Sequence, residues 1–239
     1  MREPGLAVAC LDGPQRELRL LVDHRDDLVA ERTRIQSRLR WHLHELFPGL
    51  IIPPRSLSRR HVLAALETRL DEVEGPVAMI AQELVIRCRE LTVRVNELER
   101  EIGQLIRRCA PTLLQLPGCG VPCAAKIVGD VAGADRFRSK AAFARWNGTA
   151  PLPVWSGNDV RHRLNRGGNR QVNAALHRIA VTQWRGVGLG RAYMERRLAA
   201  GDTKTEALRV LRRRLSDEVL RRLRIDERLP WTVSSTSAA

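Results

Sequence analysis

The chain has 239 residues, enough for one sizeable core or two small domains, and a formal charge of +14 from 41 basic and 27 acidic side chains. No apolar run approaches the roughly 20 residues that span a bilayer, which argues against a membrane protein. Five cysteines, an odd number with no secretory signal ahead of them, point to a reducing cytoplasm. Charge is distributed unevenly. Residues 1–110 hold 18 basic and 17 acidic side chains, residues 111–160 hold 5 and 3, and residues 161–228 hold 18 and 7. The last segment is therefore the expected nucleic-acid surface. Its cations are nearly all arginine, whose planar fork of donors suits phosphate.

In chain order, residues 14–47 read as a long helix. Leu18, Leu21, Leu28, Ile35, Leu39, Leu43 and Leu46 recur at threes and fours, Pro14 suits a first turn, and Pro48-Gly49 stops it. A shorter helix is predicted over 57–73, and Gly75-Pro76 breaks the chain again. From Val77 to Cys109, Val77, Leu84, Leu91, Leu98 and Leu105 fall seven apart. That repeat suits a coiled-coil hairpin with the first helix, a dimer seam, or an ordinary helical bundle. Short helices follow Pro111 to about residue 146, then a Pro- and Gly-rich loop from Asn147 to Gly157. Helical patterns return at 168–184, 189–200 and 203–228, with Thr203 and Glu206 as a capping box. Little strand is expected, and the tail after Trp231 reads as disordered.

Three segments carry chemistry. Leu113 through Val121, with Ala124, Ala125 and Ile127 behind it, has the helix-hairpin-helix pattern around Pro117-Gly118-Cys119-Gly120. Gly118 and Gly120 allow a tight turn and bare main-chain N–H groups to a phosphate; the same residues would also serve as a helical corner with no ligand. Ser156, at the end of the Thr149–Gly157 segment, is either a turn residue or a nucleophile. Arg161, His162, Arg163, Arg166, Asn169 and Arg170 follow at once, and their charge favours attack on a phosphodiester. Third, the C-terminal helices carry a run of arginines that includes Arg212 and Arg213, suited to backbone binding. Cys109, Cys119 and Cys123 have no His at ligand spacing and read as buried apolar residues rather than a zinc site.

Taken in this order, the pieces resemble transposases of the IS-one-ten family, the bridge-RNA-guided insertion-sequence recombinases. The resemblance rests on Glu17–Val22 through Trp41–Leu46, on Leu116–Gly120, and on Asn147–Pro151 through Ser156-Gly157 to Arg166–Arg170. It extends to Lys204–Arg209 and Arg213–Ser216. It implies that Ser156 is a nucleophile forming a covalent link to DNA, and that an oligomer holds donor DNA, target DNA and a guide RNA. It also implies a divalent metal (Mg2+), bound by four acidic residues of a RuvC-like domain ahead of the coiled coil. That constellation has no counterpart here, since Asp12, Asp23, Asp26 and Asp27 lie on or beside one helix. No cofactor is thus expected in this chain itself, which reads as N-terminally truncated.

The expected fold is mainly α: long antiparallel coiled-coil-like helices, then a helical domain with a helix-hairpin-helix motif. Its expected parts are a remnant of the RuvC-like domain at 1–13, a coiled-coil region at 14–110, the serine transposase domain at 111–228 and a disordered tail at 229–239. The expected function is that of a cytoplasmic DNA transposase that forms a homo-oligomer and touches no membrane. The alternatives are a non-catalytic nucleic-acid-binding or regulatory protein derived from a transposase, and an interaction protein built on the heptad helix.

Overall fold

The computed structural model describes residues 8–9, 12–156, 159–163, 165, 167–186 and 189–229, with backbone alone for 154–156 and 159–163. Most of the expected 1–13 remnant and all but the first residue of the expected 229–239 tail lie outside these. The fold is mainly α. In chain order the elements are α1 (Pro14–Leu46), α2 (Arg60–Leu70), α3 (Pro76–Cys109), α4 (Pro111–Leu114), α5 (Val121–Val131), α6 (Lys140–Trp146), strands β1 (Leu152–Ser156) and β2 (Asp159–Arg163), then α7 (Arg170–Arg185), α8 (Leu189–Ala199) and α9 (Lys204–Asp226). A single 3-10 turn, Ser56–Ser58, precedes α2.

The chain divides into two compact units. One comprises residues 23–101, and the other joins residues 1–22 to 102–239. In the smaller unit α1 and α3 run antiparallel. The Arg25 guanidinium meets Glu99, Arg32 donates to Thr92 Oγ1 at 3.3 Å, and Arg87 meets Glu31 at 2.7 Å. Leu84, Leu91 and Leu98 of the seven-residue repeat are buried. Leu84 and Leu91 pack with Leu39, Leu43, Leu63 and Leu66, so this part of the stripe faces the unit's own core. Arg87 and Arg94 interrupt the sequence pattern, and both sit exposed in ion pairs.

In the larger unit α9 is the central element, packing against α4, α6, α7 and α8. Its buried face carries Ala207, Leu211, Leu215, Val219, Leu220 and Leu223. The capping box is formed: Thr203 N donates to Glu206 at 2.9 Å, and Glu206 N to Thr203 Oγ1 at 3.3 Å. At the other end of α9, buried Asp226 accepts from Thr112 N at 2.9 Å and Leu113 N at 3.0 Å. A carboxylate there complements the positive N-terminal end of α4. Phe137, Phe143 and Trp146 form an aromatic cluster, with the two phenylalanine centroids 5.0 Å apart. Gly129 lets α1 approach α5, because a Cβ there would meet the Arg19 Cα at 3.0 Å.

Candidate nucleic-acid interface

The segment expected to be a loop instead forms an antiparallel pair, β1 with β2. Val154, Trp155 and Val160 favour extended backbone. Pro153 lacks an N–H but is tolerated, because in a two-stranded ribbon both strands are edges. Ser156 occupies the last rung, opposite Asp159, while Arg161, His162 and Arg163 pair with Val154, Pro153 and Leu152. At a rise of roughly 3.3 Å per residue, Ser156 lies about 13 Å along the strand from Leu152. The linking residues Gly157 and Asn158, and also Arg166, lie outside the described residues. Gly-Asn between two β-capable runs is the signal that marks this pair in the sequence.

A network of amides holds the hairpin's root. Asn147 is fully buried. Its Nδ2 donates to Ser216 Oγ of α9 at 2.8 Å, and its Oδ1 accepts from Thr149 N at 3.1 Å and Thr149 Oγ1 at 2.7 Å. Asn173 Nδ2 of α7 donates to the Asn147 carbonyl at 2.8 Å. On the returning side, Asn165 Nδ2 donates to the Arg145 carbonyl at 3.0 Å, and Asn169 N to the Trp146 carbonyl at 2.7 Å. The two sides meet through glycine. Gly148 has φ +76°, and a Cβ on Gly168 would fall on the Gly148 backbone. Both ends of the hairpin are thus fixed to α6, α7 and α9.

The remaining candidate residues occupy different settings. Asn169 is the N-cap of α7, accepting from Val172 N at 2.9 Å, and exposed Arg170 begins that helix. Gly118, with φ +81°, is packed against α7: a Cβ there would meet the Ile179 carbonyl at 3.0 Å and Thr182 Cβ at 3.1 Å. Gly120 is exposed as the N-cap residue of α5, in extended conformation. Arg213 is paired with Asp217. The acids scattered through the C-terminal helices do intervene at helical spacing. Arg191 meets Glu195 at 2.9 Å, while Arg221 and Arg222 share Glu218 at 2.7 and 2.6 Å. Hydrogen bonds from these two arginines, Arg221's the stronger, hold the Glu218 carboxyl down at about 2.

Arg212 is different. It is half-buried, one of its terminal nitrogens donates to Asn173 Oδ1, and its Nε is shut from solvent with no partner. Burial, and then the neighbouring Arg209, lower its affinity for a proton. His177, one turn beyond Asn173 on α7, is largely exposed, yet it is likewise shifted down, by partial burial of the ring and then by Arg212. The thiols are inert by contrast: burial pushes Cys119 up to about 12 and Cys109 up to about 11. Among the described residues, no group of three or more His, Cys, Asp or Glu could hold a metal ion, and no helix is long and apolar enough to cross a membrane.

Residues 110–195 match the model of the transposase IS116/IS110/IS902 family. The chain carries an IS110-family transposase domain. It is also 31% identical over 247 aligned residues to the insertion element IS110 uncharacterized 43.6 kDa protein of Streptomyces coelicolor. That alignment covers 84% of this chain and 61% of the relative, so the chain spans less than two thirds of the relative's length. The IS110-family domain takes in the hairpin, its amide-rich root and α7. It stops short of α9, which supplies Ser216 and Arg212 to the same network. Ser216 lies in the stretch Arg213–Ser216 and Arg212 in the arginine run beside it, whereas Asn165 and Asn173 have no motif of their own in the sequence. Only Asn147-Gly148 facing Gly167-Gly168 marks the root, as clustered turn formers.

Proposed function

We propose that this chain is the DNA-handling, serine-bearing part of an insertion-sequence transposase, in which Ser156 attacks a DNA phosphodiester. The observation that carries the reading is the hairpin within the IS110-family domain: a serine ends a strand whose root is fixed by buried hydrogen bonds. In this reading Ser156 Oγ bonds to phosphorus, and the displaced strand-end oxygen leaves as a hydroxyl after taking a proton. Arg161, Arg163, Arg166 and Arg170 offset the charge of the phosphorane-like transition state, and His162 assists the proton transfer. Gly118, Gly120, Asn169 and Arg212 hold the backbone of the nucleic acid without reading bases, while Arg213, paired with Asp217, adds to the positive field around them.

The resemblance also implies a divalent metal. The described residues do not fit one, since no three His, Cys, Asp or Glu among them come together to hold it. A guide RNA is a second polyanionic partner in this reading, supported by the excess of 18 basic over 7 acidic residues across 161–228. Homo-oligomerisation is supported by exposed Met79, Ile86 and Val93, which fall seven apart on α3. A cytoplasmic setting suits the free thiols of Cys88, Cys109, Cys119 and Cys123.

The test is to incubate the chain with labelled DNA and look for a protein–DNA adduct that survives denaturation. An adduct lost in Ser156→Ala, with DNA binding retained, supports the nucleophile. Binding that never yields an adduct favours the transposase-derived binding protein instead. Binding that is weak and indifferent to salt would leave only the interaction-protein reading.

A further inference from the structure

We infer that Arg212 is a phosphate-binding residue at the root of the serine hairpin, and that Asn173 positions it for a backbone phosphodiester of the DNA strand. The inference rests on the reading above and deepens it, by separating one arginine from the many around it.

Several neighbours already face carboxylates. Arg191, Arg197, Arg213, Arg221 and Arg222 each face an acid within five residues, so each brings its own counter-charge. Arg212 has none among the described residues. Its hydrogen-bond partner is a neutral amide oxygen, its Nε is buried and unbonded, and the charged group beside it is Arg209. A guanidinium held half out of water without an anion is costly to the folded state. The cost is offset when a phosphate arrives, because a planar fork can give two charge-assisted hydrogen bonds to it.

The position of Arg212 connects it to the hairpin. Asn173 accepts from Arg212 and donates to the Asn147 carbonyl, while Asn147 bonds Ser216, four residues beyond Arg212 on α9. One chain of hydrogen bonds thus joins the guanidinium to the residue from which the hairpin departs. Arg170 and His177 lie three residues before and four after Asn173, on the same face of α7, and both are exposed. With Arg209 and His177 within electrostatic reach, the surroundings of Arg212 are basic.

The experiment measures binding of the full chain to a labelled duplex of about 30 base pairs across a range of salt, for the native chain, Arg212→Met and Arg60→Met. Arg212→Met is expected to weaken binding about tenfold and to lower the salt slope by about 0.9, one phosphate's worth. Its thermal midpoint should be unchanged or higher, because an uncompensated charge has been removed. Arg60 is exposed on α2 in the other unit, and its replacement should leave the slope unaltered. Arg212→Lys should keep the slope while losing part of the affinity, since an ammonium keeps the charge but not the fork. An unchanged slope in Arg212→Met, an equal drop in Arg60→Met, or a strongly destabilised Arg212→Met would each overturn the inference while leaving the serine reading intact. A slope loss seen with single-stranded RNA but not with the DNA duplex would overturn it as well. If the native chain shows no salt-dependent binding to DNA, the functional reading fails first.

Discussion

Replacing Asn147 by alanine removes the side chain that ties three elements together. Asn147 is fully buried and makes three side-chain hydrogen bonds: one to Ser216 Oγ, and two from the Thr149 main-chain N and hydroxyl. At about 1 kcal/mol net for each bond, the direct loss is about 3 kcal/mol. Ser216 is also fully buried, and its hydroxyl would be left without that donor, which adds about 1 kcal/mol. A loss of about 4 kcal/mol should lower the thermal midpoint by about 10 °C in a protein of this size. Urea unfolding followed by circular dichroism measures it. Ser216→Ala alone is expected to cost about 1 kcal/mol, and the double variant less than the sum, with a coupling of about 1 kcal/mol. The reasoning is refuted if Asn147→Ala costs less than about 1 kcal/mol, or if the two substitutions are simply additive. Either result would mean that the hairpin root is held by the glycine contacts and not by the amide.

Gly168→Ala should cost about 3 kcal/mol, because the new Cβ lands on the Gly148 backbone, whereas Gly49→Ala, with nothing within 4 Å, should be close to neutral; comparable unfolding midpoints for the two would refute this. His177 is held below its ordinary value by burial and then by Arg212, so its unfolded form binds the proton more readily. The stability tied to it is present above the ordinary histidine value of 6.5 and falls as pH drops below that. Arg212→Met should move the His177 titration upward in an NMR experiment, and identical titrations would dismiss the Arg212–His177 interaction. Glu218 is held at about 2 by hydrogen bonds from Arg221 and Arg222, so its contribution is present above 4.5 and lost as pH falls towards about 2. Glu218→Gln should therefore flatten the acid limb of stability over that window, and an unchanged limb would show the pairs to be screened by solvent.

Features decided by neighbouring residues were legible in the sequence. Pro14 and Pro48 bracket α1, which ends at Leu46, and Gly75-Pro76 opens α3. Thr203 and Glu206 form the capping box as spaced, and Leu84, Leu91 and Leu98 are buried as their period requires. These are local matters of dihedral preference, capping and helical period, so a short window of residues suffices. The link from Asn147 to Gly157 failed as a loop because its partner strand follows it, and strand pairing depends on the cross-strand neighbour more than on intrinsic preference. The hairpin's root was further out of reach. Ser216 lies 69 residues from Asn147, and Arg212 lies 39 from Asn173. Nothing local distinguishes Arg212 from the arginines around it. Helical spacing gives Arg213 and Arg222 their acids, while packing of α9 against α7 sets Arg212 on an amide and away from any described carboxylate. The sequence by itself determined the helices, their ends and a basic C-terminal segment. Tertiary packing alone decided that Arg212 meets a neutral amide while Arg213 and Arg222 meet acids, because a charge is neutralised by whatever the fold brings beside it.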